Sequence, residues 1–394
     1  MKTIISEVKT SSDSLPKSNE SLLRAFDLCV QKTRRNIKRL ADAPKSWSNA
    51  PDGRYETYDE DFFDIGNWTS SFFTGMALLA WQQTRDEFFL EQVLRLAPLY
   101  REKVFTRFPD THHDLGFLYT LYSVALFKLT GDREHHAVGL RAAEVLSQRF
   151  NGNGNFIRAW GHLNTTEHNN MAIIDCLMNL PLLFWAAQES GEGKYRDIAI
   201  KHANMALEYL VRPDHSVYHA YRFDLTTGRP LGGDTYGGWA VESHWARGAA
   251  WAIYGFALAH KYTKAQRYLD GAERIAQKFI ASLDAEVVPV WDFKLPPGSE
   301  PIRDSSAAAI AACGLKELAV QGAQTSEFMR MAGRLLSRLC QPDYLDFDPA
   351  CPGILRNGQV GDGRGMAKNA YTSWGDYYLM EALGRELFGM ETWW

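Results

Sequence analysis

Two aspartates stand where the sequence has little use for a charge. Asp175 interrupts the apolar run MAIIDCLMNLPLLFWA, and Asp114 heads a second one in THHDLGF. A carboxylate in such a run needs a partner or a task, because removing it from water is costly. Burial raises its pKa, which is what a general acid near neutral pH requires, and a second carboxylate nearby would raise it further. The motif of Asp114 leaves three readings open: a helix N-cap, one half of a carboxylate pair, or a metal ligand beside His112 and His113. The metal reading is the weakest, since adjacent histidines do not share a helix face and no HExxH occurs.

A cation and aromatic rings accompany the carboxylates. SHWARGAAW sets Arg247 between Trp245 and Trp251 at the start of an apolar helix. The helix dipole disfavours a cation there unless an anion faces it, either an acidic side chain or a substrate carboxylate. Trp68, Trp160 and Trp374 lie in polar, glycine-containing contexts (NWTS, AWGH, SWGD). A flat indole in such a place suits the C–H face of a pyranose as well as it suits a core. Paired carboxylates, aromatic walls and a cationic anchor point to carbohydrate chemistry on an acidic sugar.

Helices must position these groups. Apolar residues recur at helical spacing almost throughout, broken by short stop–start signals such as Gly131-Asp132 and Ser190 to Tyr195. About twelve helices result. One set starts near residues 20, 86, 133, 194, 265 and 326 and is richer in charge. The other starts near 68, 114, 169, 241, 304 and 373 and is richer in small and apolar residues. Alternation of amphipathic and buried helices predicts an all-α (α/α)6 barrel, six inner and six outer, with no solenoid-like repeat. SVYHAYRFDLTTGRPLGG predicts one β-hairpin. The polar clusters fall at the N-terminal ends of the inner set, with Asp175 about two turns into the third, so one mouth would gather them.

The bulk composition is that of an ordinary soluble globular protein. Of 394 residues, 45% are hydrophobic and 23% charged, which excludes a disordered chain. A net charge of -4 without a basic run argues against nucleic acid as a partner, and no apolar stretch is long enough for a membrane span. No signal-like apolar segment opens the chain, and the five cysteines are scattered, so free thiols and a cytoplasmic location are expected. Residues 1–19 are expected to be a flexible segment and 20–394 a single catalytic domain. No cofactor or metal is called for, and the oligomeric state is left open.

NWTSSFFTG, HHDLGF, IIDCLMNLPLLFWA, SVYHAY, ESHWARGAAWAIYGFA, VWDF, RDSSAAAIAACGL and WGDYYLMEAL follow in this order across roughly residues 60 to 388. Together they resemble the signature segments of unsaturated glucuronyl hydrolases, glycoside hydrolase family 88. The resemblance implies an (α/α)6 barrel. It implies release of a 4,5-unsaturated uronic acid from lyase-generated oligosaccharides by hydration of the enol-ether bond. It casts Asp175 as proton donor and Asp114 as the second essential carboxylate. Trp68, Trp160 and Trp251 would line the sugar site, with His219 near the reaction centre and Gly233, Thr235 and Arg247 on substrate polar groups. Two departures stand out. DTYGGW places Gly237 where the family usually has a Gln, with His244 or Tyr236 as substitutes. The loop ahead of WGDYY carries Arg356, Arg364 and Lys368, which would meet sulfate or solvent. The rival readings are an unsaturated rhamnogalacturonyl hydrolase, an (α/α)6 sugar epimerase and a non-catalytic sugar-binding module.

Overall fold

The computed structural model describes residues 17–42, 53–166, 168–322, 325–361 and 368–394. Residues 1–16, most of the segment expected to be flexible, lie outside these, as does Arg364. The first helix begins at Lys17, three residues before the expected domain start.

The helices fall into two rings. The outer rods are α1 (Lys17–Asp42), α3 with α4 (Glu87–Leu94, Ala97–Phe105), α7 (Arg133–Ser147), α9 (Gly193–Met205), α11 (Gln266–Ala281) and α13 (Thr325–Leu339). The inner rods are α2 (Ser70–Thr84), α5 with α6 (Leu115–Tyr119, Ala125–Thr130), α8 (Leu180–Ser190), α10 (Ala246–Thr263), α12 (Ser305–Ala319) and α14 (Ser373–Phe388). Each inner rod packs on the next, α2–α5–α8–α10–α12–α14, and α14 closes the ring on α2. This is an (α/α)6 barrel.

Side-chain size decides the ring. Every residue of α12, SSAAAIAACGLKELA, is buried, because small side chains let neighbours approach from all sides. In α11 only one stripe is buried (Tyr268, Leu269, Gly271, Ala272, Ile275, Ala276, Phe279), at the spacing of one helix face. Inner rods other than α12 end in a left-handed residue, and where an outer rod follows it starts at once: Arg85 (φ 55) before Asp86, Gly131 (φ 74) before Asp132. Asp86 and Asp132 then accept from Phe88 N and Glu134 N, as N-caps do. Connections from outer to inner rods are long (106–114, 148–179, 211–245, 282–304, 340–372), so the functional loops gather at the N-terminal ends of the inner rods.

One element departs from expectation. The third inner helix does not start near residue 169. Met171–Ile173 is a strand, β3, and Ile174–Met178 is a 3-10 turn. β3 pairs antiparallel with β4 (Ala220–Phe223), which pairs with β5 (Pro230–Asp234), the expected hairpin. Pairing with β4 draws this short apolar run into a strand, and Pro181 fits only the first turn of a helix, so α8 starts at Leu180. A smaller ribbon joins β1 (Phe150–Asn151) to β2 (Phe156–Ile157).

Candidate active site

A cavity of about 640 Å³ opens at this mouth. Six of the residues singled out in the sequence line it: Trp68, Asp114, Trp160, Asp175, His219 and Arg247. Three do not. Trp251 is completely buried, one turn further down α10, with its ring against Phe117 and Tyr378. It is core, because α10 is apolar on every side and Arg247 alone takes the mouth position. Gly233 lies in β5, where its missing side chain makes room for the Tyr218 ring. The Thr235 hydroxyl accepts from Gly238 N at 3.0 Å and shapes the turn behind the cavity.

Asp114 occupies the N-cap position of α5, yet its carboxylate caps nothing. Asn179 does that work: its Oδ1 accepts from Phe117 N at 2.9 Å, and its Nδ2 donates to Asp114 Oδ1 at 3.2 Å. One amide thus joins the helix of Asp114 to the turn of Asp175. The N-cap reading of Asp114 is therefore corrected: no helix-start N–H holds its carboxylate. Burial raises its pKa, the Asp175 charge raises it further, and the Asn179 bond and Arg149 pull the other way. Asp175 is also raised, to about 7, by burial, with Arg247 opposing. Its Oδ1 is buried without a hydrogen-bond partner, a poor place for a charge and a tolerable one for an acid.

His219 faces Asp175, Nε2 to Oδ1, at 3.8 Å. Its Nδ1 accepts from Tyr236 N (3.0 Å) and Gly237 N (2.7 Å), which places the ring proton on Nε2, toward the carboxyl. Protonating Nδ1 would set it against two donors, and burial lowers the His219 pKa to about 3. Arg247 is not free for a substrate alone. Its Nη1 donates to Asp304 Oδ2 at 2.8 Å and to the Gln359 carbonyl, while the guanidinium lies over Trp245 (4.7 Å) and Trp374 (5.4 Å). Its other N–H groups have no partner among the described residues.

The walls are aromatic. Trp68 stacks on Trp374 at 4.8 Å, and opposite it Trp160 meets Tyr236 edge-on at 4.8 Å. Tyr236, Trp245, His112 and His168 also line the cavity; of these the sequence offers Tyr236 as a stand-in for the Gln, Trp245 as a flank of Arg247 and His112 as a metal ligand, and gives no sign of His168. A side chain on Gly237 would start 2.8 Å from the Trp245 indole, which fills that space here. Of the two substitutes, Tyr236 reaches the cavity, while His244 is turned against Phe293. His112, His113 and Asp114 present ligand atoms within 4.8 Å of one another, near enough for one cation. His112 Nδ1, however, already accepts from Asp114 N at 3.3 Å, and a cation would have to break that bond. Arg356 serves the fold, bonded to Asp346 and Tyr371, and Lys368 pairs with Glu300 at the surface.

Comparison with known proteins agrees with this geometry. Residues 36–379 match the model of Glycosyl Hydrolase Family 88. The chain is 37% identical to the unsaturated glucuronyl hydrolase of Bacillus sp. (strain GL1), over 92% of this chain and 96% of that one. It is 36% identical to the unsaturated chondroitin disaccharide hydrolase of Streptococcus pyogenes serotype M1, over 93% and 92%. The crystal structure of the Bacillus sp. GL1 enzyme superposes with a TM-score of 0.88, covering 95% of this chain and 99% of that chain. A barrel whose mouth gathers two shielded carboxyls, a neutral imidazole and aromatic walls, with relatives of this kind over more than nine-tenths of its length, belongs to glycoside hydrolase family 88.

Proposed function

We propose that this glycoside hydrolase, as one catalytic domain over 20–394, releases a 4,5-unsaturated uronic acid from the non-reducing end of lyase-generated acidic oligosaccharides. The observation that carries the reading is the pair Asp114 and Asp175, the first buried and the second partly buried in one cavity, with both pKa values raised. Two like charges in a dry site resist ionising together, so near neutral pH the pair keeps a proton to give.

Asp175, in the protonated form, donates to C4 of the double bond, and positive charge develops at C5 and the ring oxygen. Asp114, ionised at that moment, stabilises that charge and binds ring hydroxyls. Water adds at C5 and returns a proton to Asp175. The C5 hemiketal opens, and the C1 hemiacetal so exposed expels the leaving sugar. The His219 Nε2–H keeps the Asp175 carboxylate oriented. The unengaged side of Arg247 takes the uronate carboxylate, and Trp68 and Trp160 hold the ring. The name of the Streptococcus pyogenes relative supports an unsaturated chondroitin disaccharide as a first substrate.

The test is optical. Purified protein is mixed with a panel of unsaturated disaccharides, and ultraviolet absorbance of the conjugated double bond is followed. Loss of absorbance with release of the second sugar is expected. No loss across glucuronyl and rhamnogalacturonyl substrates would end the reading.

A further inference from the structure

Arg149 follows α7 by two residues, is buried, and pairs with no carboxylate among the described residues. Its guanidinium spreads over five backbone carbonyls instead. Nε donates to Arg158 O (3.0 Å) and Nη1 to Thr111 O (2.7 Å). Nη2 donates to Ala159 O (3.1 Å), Trp160 O (2.8 Å) and Gly161 O (2.9 Å). Thr111 leads into His112-His113-Asp114, and Trp160 is a cavity wall. The backbone adds two ties along the same line: His113 N to Ala159 O at 3.2 Å, and Ala159 N to Met171 O at 3.0 Å. The second reaches β3, which runs into the turn of Asp175. One side chain thus gathers the segments that carry both aspartates and one wall.

The charge matters as much as the bonds. The titratable groups around Asp114 are His112 and His113 on its own loop, Asp175 and Cys176 from the turn before α8, Tyr58 from the loop before α2, and Arg149. Burial keeps both histidines neutral and the Cys176 thiol and Tyr58 phenol uncharged. Lys103 faces His112, and Arg247 faces Asp175. The cation opposing Asp114 is Arg149. Its own pKa falls to about 9 through burial and then Arg158, which leaves it charged at neutral pH. A buried guanidinium with no counter-ion is expensive in structure alone, and a use in the chemistry accounts for it.

We propose that Arg149 is a positioning residue for the reaction: it ties the Asp114 loop to the Trp160 wall and supplies the fixed positive charge that keeps the Asp114–Asp175 pair singly protonated. The proposal rests on the reading of that pair as the catalytic machinery.

The experiment uses the full chain and unsaturated chondroitin disaccharide, with kcat and KM measured against pH for wild type, Arg149→Lys and Arg149→Met, and folding followed by circular dichroism. Arg149→Met removes the charge, so both limbs of the kcat profile move upward by about one pH unit. Arg149→Lys keeps the charge, so the limbs stay. One ammonium cannot span five carbonyls, so kcat/KM falls roughly tenfold or more. An arginine of purely structural value would lower melting temperature in both variants and leave the limbs in place, and unmoved limbs in a folded Arg149→Met overturn the proposal. Should Arg149→Met not fold, Arg149→Gln takes its place, removing the charge while keeping a polar side chain: limbs that move upward support the proposal, and unmoved limbs overturn it. An inactive wild type overturns the functional reading and this inference together. An active wild type with unaltered variants overturns this inference alone.

Discussion

Division of labour between the two aspartates comes from their neighbours, not from their type. Asp175 has an unpartnered oxygen, a neutral imidazole at 3.8 Å and a cation that opposes full protonation. Asp114 has one amide donor and Arg149 behind it. Asp175→Asn keeps the shape and removes the proton, so kcat should fall roughly 10²–10⁴-fold, measured by loss of double-bond absorbance; a rate near wild type would remove Asp175 from its role. The active form needs the shared proton, so kcat should fall as pH rises through the neutral range, where the pair, with Asp175 raised to about 7 and Asp114 to about 8, loses it. Arg247 lowers the Asp175 pKa. Arg247→Met should therefore shift the alkaline limb to higher pH while raising KM for the uronate, and kinetics across pH read both effects. A raised KM with an unmoved limb would leave Arg247 as a binding group only.

Among the elements, the contact that sets the distance between the aspartates is α5 against the turn before α8. A Cβ on Gly116 would lie 2.2 Å from Asn179 Cα. Backbone meets backbone there, so no rotamer can give way. Gly116→Ala should cost on the order of 1–3 kcal/mol of stability and lower kcat as the two segments part. Denaturant unfolding together with kinetics checks this, and a loss of stability with unchanged kcat would separate packing from catalysis. The same junction shows what was legible in the sequence. Asp114 and Asp175 stood out because charge in an apolar run needs no tertiary information to notice. Gly131-Asp132 was readable for the same reason, as local backbone chemistry. β3 was not, because Met-Ala-Ile-Ile fits a buried helix or a strand, and the pairing that decides it lies on β4, some fifty residues on. Trp251 misled because a helix apolar on every side gives no period to orient by, and His168 was missed because loops carry no period at all.

At the scale of the whole molecule, buried charges brace the mouth by gripping backbone. Lys103 holds Phe62 O and Asp64 O, and Arg212 holds Val217 O, Val241 O and Ser243 O. Asp292 accepts from Trp239 N, His244 N, Lys294 N and the Ser243 hydroxyl. Such a mouth is dry, and its dryness marks the titration of the fold. Among the described residues, burial pushes His112, His113, His135, His202, His219 and His244 below the ordinary histidine range. Burial pushes Asp114, Asp175 and Asp376 above the aspartate range. The two sets act in opposite directions. A histidine lowered in the fold binds its proton more tightly when unfolded, so its contribution is lost as pH falls through about 6.5. An aspartate raised in the fold keeps a proton that the unfolded chain releases, so its contribution is lost as pH rises from about 4 toward its folded value. Between about 4 and 6.5 both sets operate, and the histidines outnumber the aspartates. Unfolding should then take up two or three protons, and stability should rise with pH by roughly 3 kcal/mol per unit. Above about 6.5 the histidine contribution is complete and the aspartates still lose theirs, so stability should turn over near neutrality, in the range where the pair holds its working proton. Urea midpoints measured from mildly acidic to neutral pH test this directly. Stability that stays flat or grows toward pH 5 would show that the histidines reach solvent, and that the interior around them is wetter than its packing indicates.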